Sequence, residues 1–340
     1  MLDPRARWSQ IGEKPDYAGL LTFSGLPYTE DPADLAGVDA AIVGAPMDDL
    51  VSDAPGTRYG PRAIRAASTG AGAHLDARLD ALSELRVVDF GDAAVVPAEP
   101  KRSHAAIEAT VAAVLAAGAI PVILGGDHSN AEPDIRACAA VHGPVGLVHL
   151  DAHADTAREC FGAELSHGTS MYRLLEAGSV DPTRYVQIGL RGYWPSPSVF
   201  EWQRELGITS LLMHDVHERG IAEIVRDAVA IVGPGPAFVS IDIDVLDPAF
   251  APGTGTPEPG GMTSAELLRA CRTLAGELEL VGADVVEVIP DRAGASDITA
   301  LVAARTVQEL LTGIATARAA LATGSGRGGG HRASTSSGAP

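Results

Sequence analysis

Six side chains suited to hard divalent cations fall in three short stretches of this sequence. PVILGGDHSN carries His128 behind a Gly-Gly turn, LVHLDAHADT carries Asp151, His153 and Asp155 at every second position, and FVSIDIDVLDP carries Asp242 and Asp244 two apart. Four carboxylates and two imidazoles drawn together without a cation would suffer strong like-charge repulsion at low dielectric. Two divalent ions would remove it. Carboxylate-rich donors with some imidazole and no thiolate favour Mn²⁺, with Ni²⁺, Co²⁺ or Fe²⁺ also suited, over a structural zinc. Such a pair can share a bridging hydroxide, ionised at neutral pH and aimed at an electrophilic carbon. Any one of these motifs is common in ordinary turns. Their joint appearance after several apolar runs points to a dinuclear metal site.

The elements that must position these groups are short β-rich runs alternating with Ala- and Leu-rich helical stretches. Strands are expected at 39–43, 85–90, 120–124, 146–150, 185–189, 208–213, 237–243 and 283–288, and helices at 104–117, 223–231 and 264–278, with Gly118 at a helix C-cap. This alternation implies a parallel sheet covered on both faces. Periodicity leaves a closed barrel and an open three-layer sheet equally allowed, and both bind ligands at the C-terminal strand ends. In a strand, Asp151, His153 and Asp155 would share one face, as would Asp242 and Asp244. No Pro/Gly/Ser-rich linker divides the chain, which reads as a single domain over 38–320 behind an N-terminal extension, 1–37. Residues 324–340 have little to bury and should be disordered, leaving His331 idle.

Composition narrows the partners. The net charge of −19 disfavours nucleic acid and anionic membranes, and 46% hydrophobic with 20% charged residues describes a soluble globular protein. Cys138, Cys160 and Cys271 form no CxxC pair, so neither a disulfide framework nor a thiolate zinc site is indicated. The N-terminus has no apolar signal core and no run reads as a membrane span, so a cytoplasmic protein is expected.

GGDHS, DAHADT and SIDIDVLDPAFAPGTGTPEPGG, in this order within residues 38–315, resemble the ureohydrolase superfamily of arginases, agmatinases and guanidinobutyrases. The resemblance implies a three-layer α/β/α fold with an eight-stranded, mostly parallel sheet. It implies that His128, Asp151, His153, Asp155, Asp242 and Asp244 bind two Mn²⁺ ions, with Asp151 and Asp242 bridging them, and that the chain forms trimers or hexamers. It also places His167 of SHGT as a proton shuttle and Glu287 of VVEVIP opposite the substrate guanidinium. The chemistry agrees, since a fixed carboxylate holds a guanidinium by paired charge-assisted hydrogen bonds. A histidine with an ordinary pKa near ~6.5 can relay a proton to the leaving amine. Asp155 can pass that proton from the hydroxide.

The substrate must be read from loops. Arginases carry Asn where this chain has Ala157 and Asp where it has Gly192, so both departures argue against arginine. Agmatine, giving putrescine and urea, suits Asp48 and Asp49 if they face the cleft. A guanidino acid such as 4-guanidinobutyrate or 3-guanidinopropionate would instead meet Arg191 or Arg158. Tyr193 and Trp194 would narrow the pocket towards small guanidines, even guanidine itself. A pseudoenzyme or metal-dependent binding protein is the non-enzymatic reading, against which stand all six ligands, His167 and Glu287. His149 is expected to be a hydrogen-bonded core histidine, His214 and His217 surface residues of a loop, and Cys160 an ordinary thiol.

Overall fold

The strand sequences are apolar on both faces, which is what a parallel sheet sandwiched between helices requires. The computed structural model describes residues 1–12, 14–69, 72–290 and 297–322. Its strands are β1 (Ala40–Ala45), β2 (Val87–Asp92), β3 (Ile120–Gly125), β4 (Val145–Leu150), β5 (Val180–Ile188), β6 (Thr209–Leu211), β7 (Pro236–Asp242) and β8 (Glu279–Val286). They form one open sheet in the order β2-β1-β3-β8-β7-β4-β5-β6, parallel throughout. The barrel alternative is thereby excluded.

Alternate residues along each strand feed two separate cores. Ala40 and Ile42 of β1 point into one, while Ala41, Val43 and Ala45 point into the other; Val148 and Leu150 of β4 oppose Val145 and Leu147 in the same way. The first core is closed by the helices Ile221–Val232, Ser264–Glu277 and Ile298–Ala322, the second by Pro100–Ala116 and Ala131–His142. The helix at Ser264 starts where its sequence dictates, with Thr263 and Glu266 forming a reciprocal capping box.

The sheet order does the positioning. β3, β8, β7 and β4 lie side by side at its centre, so chain segments far apart in sequence end at one edge. Leu124 pairs with Val285, Asp242 with Val286, and Leu150 with Ile241.

Two expectations change, and a third falls on residues that the structure does not describe. His214 and His217 lie on a short helix, Met213–Arg219, because the Asp215 carboxylate accepts from the Leu212 amide and stops β6 early; both remain exposed. The helix Ile298–Ala322 is long and apolar enough to cross a membrane by length and composition, contrary to the reading of the sequence, but 72% of its apolar window is buried inside the protein. The tail at 324–340, with His331, lies outside the described residues.

The N-terminal segment is fastened at β2. Leu2 and Tyr28 exchange backbone hydrogen bonds, and Thr29 donates to the Asp89 carbonyl. Buried Arg65 grips both Asp89 carboxylate oxygens (2.8 and 2.9 Å) and Asp92 (2.6 Å), while the Phe23 amide donates to Asp89 (2.8 Å). Removing one partner of a buried pair leaves an uncompensated charge, so Arg65→Ala should destabilise by about 3–5 kcal/mol in urea unfolding. A loss below about 1 kcal/mol would show that solvent compensates Asp89 instead.

Candidate metal centre

Each chemical motif begins where a strand runs out. A Cβ at Gly126 would sit 1.7 Å from the Met47 carbonyl oxygen, so the turn after β3 admits only glycine there. That close approach lets the Asp127 amide reach Met47 (2.8 Å) and delivers His128 to the sheet's C-terminal edge. β4 ends at Leu150, so Asp151, His153 and Asp155 are not displayed by strand pleating. Their spacing has another cause. The carboxylates of Asp127, Asp151 and Asp242 each accept the backbone N–H two residues on, from Ser129 (3.0 Å), His153 (2.5 Å) and Asp244 (2.9 Å). One carboxylate thus folds the turn that presents the next ligand-type side chain. Asp155 follows in the left-handed region, φ +50°.

These turns converge on His128. Its Nδ1 lies 3.1 Å from a carboxylate oxygen of each of Asp151, Asp155 and Asp242. The ring is fully buried, and Nδ1 makes no hydrogen bond among the described residues. Its Nε2 lies 2.9 Å from Ser240 Oγ, which donates to Asp284 (2.8 Å). A second focus forms at His153, whose Nδ1 is 3.0 Å from Asp244 and 3.5 Å from Asp151. Metal-capable atoms therefore form two overlapping groups, His128–His149–Asp151–Asp155 and Asp151–His153–Asp244, that share Asp151. His149 belongs to the first only by proximity: both its ring nitrogens are occupied, by Tyr185 Oη (3.0 Å) and Asp151 (2.7 Å). It is a buried brace for Asp151, as its depth in β4 suggests.

Protonation shows the conflict in this cluster. Burial opposes charge on His128, yet Asp151, Asp155 and Asp242 outweigh it and raise its pKa far above the imidazole range. His153 is likewise lifted to about 12, burial being overcome by Asp244 and Asp151. Burial, then the charges of Asp244 and Asp151, push Asp242 well above the carboxylate range. Such a donor set holds protons tightly unless cations replace them.

Glu287 and His167 form a pair behind this cluster. Glu287 is wholly buried at φ +62°, its amide donating to the Gly126 carbonyl (2.8 Å). Its Oε1 accepts from the His128 amide and from His167 Nδ1, both at 2.8 Å, while Oε2 has no partner. Ser52 faces His167 Nε2 with its amide (3.1 Å) and its hydroxyl (2.6 Å), so it can donate to a bare nitrogen or accept from a protonated one. A cavity of about 360 Å³ opens here, lined among others by His153, Asp155, Asp242, His167, Glu159 and Trp194.

Comparison with known proteins assigns this architecture. The Arginase family model matches residues 38–313. The chain belongs to that family. It is 45% identical over 303 residues to a guanidinopropionase of Pseudomonas aeruginosa, covering 88% of this chain and 93% of the relative. A guanidinobutyrase of the same organism is 40% identical over 279 residues, with 82% and 87% covered. The solved structure of proclavaminate amidino hydrolase from Streptomyces clavuligerus superposes with a TM-score of 0.84 at 37% identity, covering 89% of this chain and all of that one. The chain is therefore an enzyme, a guanidino-group hydrolase, and arginase-family folds hold a dinuclear metal site.

Against this arginase-family frame, several substrate-reading expectations fail. Asp48 and Asp49 do not face the cleft unpaired: Asp48 accepts from the Gly56 amide (2.7 Å) and Arg58, and Asp49 from Arg58 (3.0 Å) and the Ala98 amide (3.0 Å). Arg191 spends its guanidinium on backbone carbonyls, including those of Asp244 (2.7 Å), Leu246 (3.1 Å) and Glu258 (2.6 Å). It staples the ligand loop to β5 and cannot meet a substrate carboxylate. Arg158 is exposed. Tyr193 is fully exposed, and only Trp194 of that pair lines the cavity. Gly192 sits at φ +83°, where a Cβ would lie 2.8 Å from the Glu258 carboxyl carbon. Cys160 lines the cavity as a thiol, its pKa raised by burial and Asp155.

Sequence reasoning missed Ser52, Phe161, Thr256, Ser240 and Asp284. Ser240 stands two residues before Asp242, a local clue; Ser52 meets His167 across 115 positions and leaves none.

Burial disfavours charge on His167, but Glu287, then Asp155 and Asp127, lift it to about 9. Because the folded pKa is raised, the pair's stabilisation is complete below the unfolded value near ~6.5 and lost as pH rises through about 9. In metal-free protein the His167 imidazole NMR signals should titrate near 9, and Glu287→Gln should return them towards ~6.5. An unchanged midpoint would remove Glu287 as the cause.

Proposed function

We propose that this chain hydrolyses the guanidino group of a short guanidino acid, such as 3-guanidinopropionate or 4-guanidinobutyrate, to urea and an amine. The observation that carries the metal-dependent reading is the bare His128 Nδ1 facing three carboxylate oxygens at 3.1 Å. That donor set suits a cation and little else. His128, Asp151, Asp155 and Asp242 would hold one divalent ion, and Asp151, His153, Asp242 and Asp244 the second, with Asp151 and Asp242 common to both. Oxygen-rich donors with one imidazole per ion favour Mn²⁺, with Ni²⁺ or Co²⁺ the alternatives. When bound, the ions supply the Lewis acidity that makes water ionise at neutral pH.

The side chains supply the rest. Glu287 offers the guanidinium one oxygen, Oε2, because Oε1 already accepts from His128 and His167. This is a single charge-assisted contact rather than a two-pronged one. Asp155 lines the cavity beside His128 and is placed to take the proton of the attacking water and hand it to the departing nitrogen. His167 exchanges a proton at Nε2, where Ser52 serves either protonation state.

The tail follows from what the pocket wall offers. The engagement of Asp48 and Asp49 by Arg58 removes the feature that pointed to an ammonium tail, and the relatives acting on guanidino acids support a carboxylate. Arg158, exposed and next in sequence to the cavity-lining Glu159, would meet it. Agmatine is the second reading, favoured by Glu159 itself, a carboxylate on the cavity wall.

Metal-loaded protein should release urea from 3-guanidinopropionate and 4-guanidinobutyrate with a higher kcat/KM than from agmatine, arginine or guanidine. Agmatine ranking first would reverse the choice of tail, and no urea from any of them, with metal bound, would sink the hydrolase reading for this site. Asp242→Ala should lose metal and activity together, by more than about 100-fold in rate, since it removes a ligand common to both ions. Glu287→Ala should keep the metal and fail on substrate.

A further inference from the structure

The interior holds a second acidic pair away from the cavity. Asp134, in the first turn of the helix Ala131–His142, and Asp284, in β8, are both fully buried. Among the described residues, both oxygens of Asp134 and Oδ2 of Asp284 lack any hydrogen-bond partner. Cys138, one turn on from Asp134, fixes the helix to β8 through the Val281 carbonyl (3.6 Å), and its thiol proton is thereby used. With Cys138 holding the helix on β8 and the charge of Asp284 acting on Asp134, two ionised carboxylates this deeply buried would be prohibitively costly, whereas one proton shared between them removes a charge and satisfies two oxygens.

Which residue carries that proton decides the state of His128. Asp284 Oδ1 receives the Ile241 amide (3.2 Å), which can only donate, and lies 2.8 Å from Ser240 Oγ. With Asp284 ionised, the Ser240 hydroxyl donates to it, so the serine oxygen must accept from His128 Nε2–H (2.9 Å), leaving a lone pair on Nδ1. With Asp284 protonated, the chain can reverse and put the imidazole proton on Nδ1, where no cation could bind. Asp284 has two donors and Asp134 none, so the ionised form belongs to Asp284. The Asp284 charge is also what, after burial, raises Asp134 well above the carboxylate range.

We propose that Asp134 is a positioning residue that stays protonated at neutral pH and donates to Asp284, so that Asp284, Ser240 and His128 form one directed chain ending in the Nδ1 lone pair. This rests on His128 being a metal ligand, and the test separates the two claims. The infrared difference spectrum of wild type minus Asp134→Asn at neutral pH, in which bands from other buried acids such as Asp242 cancel, should show the carbonyl band of a buried, protonated carboxylic acid, with or without Mn²⁺. Asparagine can still donate, so Mn²⁺ affinity by equilibrium dialysis should stay within about 3-fold of wild type, while Asp134→Leu should weaken it about 10–100-fold. If Asp134→Leu does not fold, the band and the asparagine variant decide. Absence of that band from the difference spectrum, a tenfold loss of affinity in Asp134→Asn, or wild-type affinity in a folded Asp134→Leu would each overturn the proposal. Failure of the wild type to bind any divalent metal, with the band present, overturns the metal-centre reading and leaves the proton on Asp134.

Discussion

Like-charge repulsion among buried carboxylates is the constraint on which this structure turns. Asp151, Asp155 and Asp242 all aim an oxygen at one imidazole nitrogen, and Asp244 stands with His153 beside them. No chain would gather these groups for stability, because each is desolvated and each opposes its neighbours' ionisation. The surrounding fold is organised to hold them there. Sheet order brings four strand ends together, and Asx turns use one carboxylate of each motif to aim the next group.

Holding such a cluster stores strain nearby. Asp155 and Glu287 adopt left-handed backbone conformations that cost about 1–3 kcal/mol each in residues with a Cβ. They persist because the surroundings over-determine them: Glu287 is pinned by its amide to Gly126 and by Oε1 to His128 and His167. A layer of committed polar groups stands behind the ligands, with His149 and Tyr185 bracing Asp151 and Arg191 gathering the carbonyls around Asp244. These groups are rigid supports, and their saturation with partners is what leaves them unavailable to substrate.

The same saturation explains why the substrate was hard to read. Charged residues near the cleft look like recognition groups in sequence, yet Asp48, Asp49 and Arg191 are consumed by local architecture. The chain belongs to the arginase family, and its cavity wall carries Glu159, Cys160 and Trp194 apart from these committed charges.

The sequence by itself determined the parallel α/β class, the strands within a few residues, and the grouping of His128, Asp151, His153, Asp155, Asp242 and Asp244. Those features are encoded locally, in apolar runs and in spacings of two, and resemblance to ureohydrolases added His167 and Glu287. Periodicity left the sheet open or closed, the resemblance implied an open one, and the strand order bears that out; only the tertiary structure decided that the spacing of two comes from Asx turns rather than strand pleat, and that a 25-residue apolar helix is a core helix. It alone decided which charges are already spoken for, brought Ser52 to His167, and left Asp134 and Asp284 buried with unpartnered oxygens among the described residues. The physical reason is that burial and pairing are properties of neighbours in space, and in this sheet order the decisive neighbours are a hundred or more residues apart in the chain.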